Sequence, residues 1–410
     1  MSDPLAPIVM VEPAAQAVMR EYEKYVVPSY GRSIVLERGK GTEVWDAGGK
    51  RYLDFGGGIA VNALGHAHPA ITKTLTEQSQ KLVHVSNLYY HRWQGELAHK
   101  LVAQVGPGKA FFCNSGAEAN EMLYKLARKF GHDTGRYEVI TALKSFHGRT
   151  LGGIAATGQD KIKKGFEPII PGFKHVPFND LKAVEEAITP LTAAVLIECI
   201  QGESGVNIAS PEYLLGLRKL CTEKNILLLI DAVQCGIFRT GAFVSYQRIL
   251  EGHPQAGSFQ PDGISFAKSL GGGFPIGAVW LKTPLADLFQ PGTHGTTFGG
   301  TPLACAVALT VLDVIEREHL AANIRKQGDK IVAALNAHAA KGAKTLISAR
   351  GFGGLLGLQV KPLAADVTAR LREAGLLVVP AGEEVIRLLP PYNVSDAEVE
   401  EALGILTANL

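Results

Sequence analysis

The sequence predicts an α/β protein built around a mainly parallel sheet. Short apolar runs recur along the chain, at residues 110–113, 139–141, 193–197 and 226–230. Stretches with helical periodicity separate these runs, and glycine-containing turns follow several of them. Runs this short and this continuous are typical of strands that are buried on both faces of a sheet. From about residue 108 the order is therefore strand, turn and helix, repeated.

The composition is that of a globular enzyme or binding protein. The chain has 410 residues, of which 46% are apolar and 20% charged, and its net charge is +2. This length is enough for roughly two or three domains. No basic block interleaved with aromatic residues occurs, so we do not expect a nucleic-acid partner. No apolar run approaches the ~20 residues of a membrane span, so we expect no membrane insertion.

The termini and cysteines indicate a reducing compartment. The chain begins Met-Ser-Asp-Pro, without the charged and apolar segments of a secretory signal. The five cysteines are scattered and have no CxxC spacing, which argues against a disulfide framework or a zinc site. We therefore expect a cytoplasmic protein without a bound metal.

The first fifth of the sequence predicts an arm, a meander and a helix. Residues 1–35 form the arm, with a helix near residues 14–25. Residues 35–55 predict a strand meander with a turn at Gly48 and Gly49. Pro69 is expected to begin a helix that ends near residue 82. His66 and His68 could bind a metal, but no third ligand is near them, so we interpret both as loop and packing residues.

The remaining elements follow from caps and periodicity. Ser115 and Glu118 fit a capping box, so a helix is expected to begin there and to reach about residue 130. Residues 311–338 predict one long helical stretch, and residues 376–410 predict a mixed strand-and-helix tail. The change in pattern places a domain boundary near residue 310.

The stretch from Ser265 to Gly277 contains the most informative single residue. Lys268 stands alone among small and apolar residues, and three glycines follow it closely. A poorly hydrated lysine has a lowered pKa and can act as a nucleophile, as Schiff-base chemistry with an aldehyde cofactor requires. The alternative is a surface lysine followed by a flexible loop.

Further candidate groups lie where strands end, which is where ligands bind in α/β sheets. Asp231 directly follows the strand at residues 226–230 and needs a positive or proton-donating partner, such as a protonated pyridine nitrogen. A capping aspartate is the alternative. Ser115, Gly116 and Ala117 close a strand and open a helix, which suits a phosphate group.

Arginines and carboxylates complete the set of candidates. Arg149 suits bidentate carboxylate recognition, and Arg387 is a lone cation in an apolar stretch that needs a carboxylate partner. Glu198 and Glu203 follow the strand at residues 193–197. Each of these residues could equally form an ordinary surface ion pair. No P-loop, HExxH or GxSxG motif occurs.

Taken together, six ordered motifs resemble those of the class III, pyridoxal-phosphate-dependent aminotransferases, over nearly the whole chain. They are Asn114-Ser-Gly-Ala-Glu-Ala-Asn120, Ser145-Phe-His-Gly-Arg-Thr150, Gln201-Gly-Glu203, Asp231-Ala-Val-Gln234, Ala267-Lys268 with its glycines, and Gly295-Thr-Thr-Phe-Gly-Gly300.

This resemblance implies a fold-type-I enzyme. Its large domain holds a mostly parallel seven-stranded sheet between helices, and a smaller α+β domain is built from both termini. The implied division is an N-terminal arm with part of the small domain at 1–65, a large cofactor-binding domain at 66–310 and a C-terminal small domain at 311–410. The resemblance also implies a homodimer with shared active sites.

The resemblance further implies how pyridoxal 5′-phosphate is held. Lys268 would bond covalently to the cofactor aldehyde, and Asp231 would pair with the ring nitrogen. The other implied contacts are Ser115, Gly116 and Ala117 at the phosphate, Phe146 stacked on the ring, Gln234 beside the ring hydroxyl, and Thr297 reaching in from the other subunit.

The implied reaction transfers the terminal amine of an ω-amino acid to 2-oxoglutarate. Arg149 would bind the distal carboxylate, and Thr296 lies at a substrate-contact position. Glu203 would pair with Arg387 in the first half-reaction and release it to bind glutamate in the second. Closer matches, such as Ser86-Asn-Leu-Tyr-Tyr90, favour N2-acetyl-L-ornithine as the donor, hence arginine biosynthesis. Ornithine, succinylornithine, 4-aminobutyrate and carrier-bound lysine are the alternatives.

Four residues depart from the pattern of the family. They are Ala117 for threonine, Ala232 for glutamate, Cys199 for proline and Thr301 for asparagine. Ala117 lacks a hydroxyl that would reach the phosphate, so weaker cofactor binding is expected. None of the four replaces Lys268 or Asp231. A racemase or aminomutase is a different possible reaction class, and the implied pairing of Glu203 with Arg387 argues against it. A non-catalytic cofactor-binding module is a third reading, which Lys268, Asp231 and Arg149 together disfavour.

Overall fold

The structure, a computed structural model, describes residues 12–410. Its N-terminal elements are α1 (Glu12–Tyr25), β1 (Leu36–Lys40), β2 (Glu43–Asp46), β3 (Arg51–Asp54), α2 (Gly57–Ala60), α3 (Pro69–Ser79) and α4 (Arg92–Val105). The three strands pair antiparallel, as the predicted meander requires. Helix α3 begins at the predicted proline and ends three residues earlier than expected.

The central elements alternate between strand and helix. They are β4 (Gly108–Cys113), α5 (Gly116–Gly131), β5 (Glu138–Ala142), α6 (Leu151–Ala156), β6 (Phe173–Val176), α7 (Leu181–Ala187), β7 (Thr192–Ile197), β8 (Ile200–Gln201), β9 (Asn207–Ile208), α8 (Pro211–Glu223), β10 (Leu227–Asp231), α9 (Ser245–Ile249), β11 (Gly263–Phe266) and β12 (Gly277–Lys282). Seven strands form one sheet in the order β4-β12-β11-β10-β7-β5-β6. Strand β12 runs in the opposite direction to the other six strands of this sheet. The predicted mostly parallel seven-stranded sheet is confirmed.

The central strand β10 shows why its sequence is apolar throughout. Leu228 and Ile230 belong to one buried cluster, which contains α8 side chains such as Leu217. Leu227 and Leu229 belong to a different cluster, together with side chains of α5. Both faces of the strand are therefore covered by helices, and alternation with polar residues would place polar groups in a core.

The C-terminal elements form a second, smaller layer of sheet and helices. They are α10 (Pro302–Arg317), α11 (Leu320–Ala340), β13 (Leu346–Phe352), β14 (Leu355–Val360), α12 (Ala364–Glu373), β15 (Leu376–Leu377), β16 (Val379–Pro380), β17 (Val385–Leu388) and α13 (Asp396–Asn409). Four of these strands pair in the order β13-β14-β17-β16, and β15 joins the N-terminal meander beside β3. Across residues 12–410, no helix is both long enough and apolar enough to cross a bilayer.

The long helical stretch predicted for residues 311–338 consists of parts of two helices. The stretch contains the end of α10 and most of α11, and the chain breaks between them at Glu318 and His319. His319 has a φ of 53°, in the left-handed region, which no right-handed helix can include. Its flanking residues keep helical periodicity, so the pattern alone did not reveal the break.

Helix α10 contacts both hydrophobic cores of the protein. Cys305 and Leu312 pack in the core that covers the seven-stranded sheet, whereas Val311 and Ile315 pack in the core of the C-terminal layer. The latter core also includes Leu53 from β3. The boundary expected near residue 310 therefore falls inside one helix. The division at residues 65 and 310 stays a prediction.

The two histidines considered as metal ligands have local partners. The ring of His66 lies 2.8 Å from a carboxylate oxygen of Asp54. His68 accepts a hydrogen bond from the backbone N–H of Ala70 at 3.3 Å and so caps the start of α3. Both residues have the loop and packing surroundings that we expected of them.

We expect Leu228→Ala to lower the free energy of unfolding by about 2–5 kcal/mol, because it leaves a cavity under a fully buried side chain. Chemical denaturation with urea measures this change. Leu363 is 47% exposed and provides a matched control, for which Leu363→Ala should change stability by less than about 0.5 kcal/mol. Equal losses in the two variants would contradict the assignment of β10 to the core.

Candidate active site

Lys268 lies in a strained turn directly after β11. Its φ of 44° is in the left-handed region, which is uncommon for a residue with a side chain and costs of order 1–3 kcal/mol. The chain then folds back sharply at Gly271, where an added Cβ would lie 1.9 Å from the carbonyl oxygen of Phe274. The glycines after the lysine thus allow a sharp turn.

The surroundings of Lys268 favour its neutral amine. The residue lines a cavity and is partly accessible from it, but protein surrounds it beyond that opening. Burial lowers the pKa of Lys268 to about 8, even though the carboxylates of Glu203 and Asp231 act in the opposite direction. At neutral pH a useful fraction of the amine is therefore unprotonated.

Asp231 ends β10 and is a buried carboxylate held by three N–H groups. One oxygen accepts hydrogen bonds from Asn120 at 2.7 Å and from the ring of His147 at 2.8 Å. The other accepts from the backbone N–H of Val233 at 3.0 Å. Asn120 is itself fixed by the hydroxyl of Ser265, which donates to its side-chain oxygen at 2.7 Å. These partners compensate the cost of burying the charge.

The N-terminus of α5 faces the same cavity. The hydroxyl of Ser115 accepts a hydrogen bond from the backbone N–H of Glu118 at 3.2 Å, which is one half of the predicted capping box. The other half differs, because the Glu118 carboxylate accepts from the N–H of Asn114 instead of that of Ser115. Gly116 lies against Val233, and an added Cβ would come within 2.6 Å of it. The N–H groups of Gly116 and Ala117, at the start of the helix, thus suit binding of a ligand.

A cavity of about 380 Å³ brings most of the predicted site residues together. The predicted residues in its wall are Ser115, Gly116, Ala117, Phe146, Arg149, Asp231, Gln234 and Lys268. Phe146 is held by its backbone N–H, which donates to Glu198 at 3.1 Å. The exposed guanidinium of Arg149 lies 5.6 Å from the centre of the Phe146 ring. The cavity therefore has a flat aromatic group in its wall and an exposed cation at its mouth.

Glu203 and Arg387 form the ion pair that the sequence suggested for Arg387. The two N–O distances are 2.8 and 3.2 Å, and the Arg387 side chain is 1% exposed. Gln234 contacts both partners, donating to Glu203 at 3.0 Å and accepting from Arg387 at 2.7 Å. Burial acts to raise the pKa of Glu203, but Arg387 outweighs it and the net pKa is lowered. The pair is therefore charged, and its cation is masked.

Glu198 is a second buried carboxyl group in the cavity wall. Burial raises its pKa well above the usual range, and the nearby charge of Asp231 raises it further. The hydrogen bond from the backbone N–H of Phe146 and the charge of Lys268 act in the opposite direction. The surroundings of Glu198 therefore favour its protonated form, which those of an ordinary surface ion pair would not do.

Besides Glu203 and Arg387, two further predicted residues lie apart from the cavity wall. The Thr296 hydroxyl accepts a hydrogen bond from Asn114 at 3.3 Å, which ties its loop to the start of α5. Thr297 is exposed and does not line the cavity.

Three groups that contact Asp231 were missed by the sequence analysis. Asn120 lies one turn into α5 after Gly116, so helical spacing could have placed it near the strand ends. His147 follows Phe146 directly, and Val233 follows Asp231 by two residues. Each belongs to a motif that we singled out, but the motif does not say which member faces the carboxylate.

These groups fit pyridoxal 5′-phosphate. The amine of Lys268 suits the aldehyde, the Asp231 carboxylate suits a protonated ring nitrogen, and the start of α5 suits the phosphate. Ala117 contributes only its backbone there, since it has no hydroxyl. A cavity between a flat aromatic side chain and a buried carboxylate suits a pyridine ring. The fold and the site thus define a pyridoxal-phosphate-dependent enzyme.

The chain belongs to the class III aminotransferase family, because the family profile "Aminotransferase class-III" matches residues 25–410. It is 46% identical over 394 residues to the acetylornithine aminotransferase of Gloeobacter violaceus, covering 95% of this chain and 96% of the relative. It is 47% identical over 399 residues to that of a Nostoc species, covering 94% and 91%. The protein is therefore an aminotransferase, as predicted.

Solved structures give the same fold. An ornithine aminotransferase from Toxoplasma gondii, described with partial occupancy of PLP at its active site, superposes with a TM-score of 0.90 at 32% identity. The alignment covers 98% of this chain and 95% of that chain. Class III aminotransferases depend on this cofactor, so the cofactor prediction is confirmed.

We expect the rate at which the apoenzyme takes up pyridoxal phosphate covalently to rise with pH and to level off above about 8. The cause is the lowered pKa of Lys268, because only the unprotonated amine attacks the aldehyde. At pH 8 an ordinary lysine would have on the order of 100-fold less neutral amine. Stopped-flow absorbance between pH 6 and 10 measures the rate, with Lys268→Arg as the control. A rate that still rises towards pH 10 would contradict this assignment.

Proposed function

We propose that this aminotransferase transfers the terminal amine of N2-acetyl-L-ornithine to 2-oxoglutarate, in arginine biosynthesis. The products are N-acetylglutamate 5-semialdehyde and glutamate. The observation that carries the proposal is the presence of two arginines with different availability. Arg149 is an exposed cation at the mouth of the cavity, whereas Arg387 is buried and paired with Glu203.

The two arginines match the two different substrates of such a reaction. The amine donor, N2-acetylornithine, carries one carboxylate, which lies far from its reacting amine. Arg149 can bind this carboxylate. Glutamate carries a second carboxylate beside its reacting amine. Arg387 can bind that group once Glu203 releases it, so Glu203 acts as a gate. A racemase or aminomutase would have no use for a gate between dissimilar substrates.

The other residues have roles that follow from their chemistry. The bound cofactor supplies an electron-withdrawing ring that stabilises negative charge on the carbon bearing the substrate amine. Asp231 keeps the ring nitrogen protonated. Lys268, with its pKa lowered to about 8, takes up and returns the proton at the reacting carbon. Phe146 covers the ring face, and Gln234 lies between the ring site and the gate pair.

The identity of the donor rests on two supports. The relatives at 46% and 47% identity are named acetylornithine aminotransferases. The cavity wall also includes the apolar Val61, Phe274, Pro275 and Ile276, which suit a methylene chain and an acetyl methyl group. Another ω-amino acid, namely ornithine, succinylornithine, 4-aminobutyrate or carrier-bound lysine, is the alternative, and an ornithine aminotransferase shares the fold.

We expect N2-acetylornithine to have a kcat/KM with 2-oxoglutarate roughly tenfold or more above that of ornithine and 4-aminobutyrate, since its acyl group fits the apolar wall. A coupled glutamate assay with the donor panel measures this. Lys268→Ala is the negative control and should abolish turnover. If ornithine or 4-aminobutyrate is the best donor, the reaction class remains and the proposed substrate is wrong.

We also propose a homodimer with shared active sites. Four large apolar or aromatic residues in two segments of the chain are strongly exposed. They are Leu88 at 81%, Tyr89 at 70%, Tyr90 at essentially all of its surface, and Phe298 at 64%. The side chain of Asn87 donates to the carbonyls of Thr296 and Gly299, so the two segments form one surface. An exposed apolar surface of this size indicates a protein interface. Thr297 lies on it and would reach the phosphate site of the other subunit.

The proposed compartment is the cytoplasm. All five cysteines are buried free thiols, which fits a reducing environment.

We expect Thr297→Ala to weaken cofactor binding about tenfold, because it removes one hydrogen bond to a charged phosphate. The dimer can be tested by mixing this variant with Lys268→Ala. A mixed dimer contains one site with both residues intact, so cofactor titration should recover a class of sites with wild-type affinity. Sites that behave only as the average of the two parent proteins would exclude a shared site.

A further inference from the structure

The gate residue Glu203 lies on a short hairpin that crosses from the large sheet to the C-terminal sheet. Strands β8 and β9 form the arms of the hairpin, and residues 202–206 form its turn. On one side, the hydroxyl of Ser204 donates to the carbonyl oxygen of Lys144 at 2.6 Å. On the other side, the turn contacts the C-terminal sheet. The position of Glu203 therefore depends on what holds this turn.

Three residues in register on the C-terminal sheet meet the hairpin. Arg350 on β13 pairs with Gly357 on β14, and Gly357 pairs with Arg387 on β17. Directly paired residues in antiparallel strands present their side chains on the same face. Arg387 holds the carboxylate of Glu203, as described above. The outer two of the three residues are thus arginines, and the central one has no side chain.

Arg350 holds the backbone of the turn. Its guanidinium donates to the carbonyl oxygens of Gly205 and Val206, the latter at 3.2 Å. Its other partner is the side-chain oxygen of Gln359, at 3.4 Å. Burial lowers the pKa of Arg350, and within residues 12–410 its hydrogen-bond partners are all uncharged oxygens. A half-buried guanidinium that binds only carbonyls is suited to fixing a backbone.

Gly357 provides the space for the turn. A Cβ at this position would lie 2.8 Å from the Cβ of Val206, closer than two such atoms can approach. Its φ is not in the left-handed region, so the reason for glycine here is contact with the hairpin and not backbone conformation. The hairpin therefore docks in a notch between the two arginines.

From this geometry we infer that Arg350 and Gly357 are positioning residues that keep Glu203 on Arg387 and so set the preference between the two amine substrates. The inference rests on the proposed function of Glu203 as a gate. Without the hold of Arg350, the turn loosens and Arg387 is unmasked more often. The half-reaction of the terminal amine should then suffer, because it needs the cation masked, while the half-reaction of glutamate should not.

The test measures the two half-reactions separately, by single-turnover absorbance of the bound cofactor, with the best terminal-amine donor and with glutamate. Arg350→Met should lower kcat/KM for the terminal amine about tenfold and leave that for glutamate within about twofold. Gly357→Ala should shift the ratio in the same direction without removing a charge. Arg350→Lys keeps the positive charge but not the planar guanidinium that can donate to two carbonyls at once. It should therefore recover only part of the kcat/KM that Arg350→Met loses for the terminal amine.

Arg370→Met is the matched control. Arg370 lies in the same C-terminal layer, and its guanidinium also donates to a backbone carbonyl, that of Asn409, at 2.7 Å. Asn409 is far from the hairpin in sequence. This variant should leave the ratio unchanged. Equal losses in both half-reactions for Arg350→Met and Gly357→Ala, or the same shift in the control, would overturn the inference.

The Glu203→Gln background separates this inference from the proposed function. If Arg350 acts through Glu203, adding Arg350→Met to Glu203→Gln should change the ratio by less than about twofold. Full additivity would overturn the positioning role. If Glu203→Gln alone leaves the ratio unchanged, the gate itself is wrong. If it shifts the ratio and Arg350→Met does not, only the role of Arg350 fails.

Discussion

The site depends on a carboxylate that the fold places out of water. Asp231 is buried at the end of the central strand, and a buried charge is tolerated only with compensating donors. Its donors come from α5 and from the loop that contains His147, and through Asn120 the contact extends to β11. One requirement of physical chemistry thus fixes the relative positions of helix α5, of the loop that contains Phe146 and His147, and of the strand that leads to Lys268.

A second feature is that neighbouring ionisable groups in the site have their pKa values shifted in different directions. Lys268 has a lowered pKa, Glu198 a raised one and Glu203 a lowered one, although Lys268 and Glu198 line the same cavity and the charge of Glu203 acts on Lys268. Burial dominates at Lys268 and Glu198, whereas the arginine partner dominates at Glu203. The pKa values of neighbouring groups are thereby shifted in different directions, which suits a site that must both move protons and mask a cation.

The sequence predicted those features that are local or that follow from burial. Apolar runs revealed the strands, and the isolated cation Arg387 required a carboxylate, which is Glu203. The contacts of Asp231 with Asn120 and His147 could not be predicted, because they span 111 and 84 residues and depend on which side chain of each motif turns inward. The register of Arg350, Gly357 and Arg387 likewise depends on strand pairing that no local pattern encodes.

Helix α10 sets a limit on how the enzyme can open. It contributes side chains to both cores, so the two layers share one continuous rod instead of a flexible linker. Swinging the layers apart would require bending the rod or tearing one core away from it, and close-packed interiors resist both. We therefore expect substrates to enter and products to leave through movements of short surface segments, without a rigid-body rotation of one layer relative to the other.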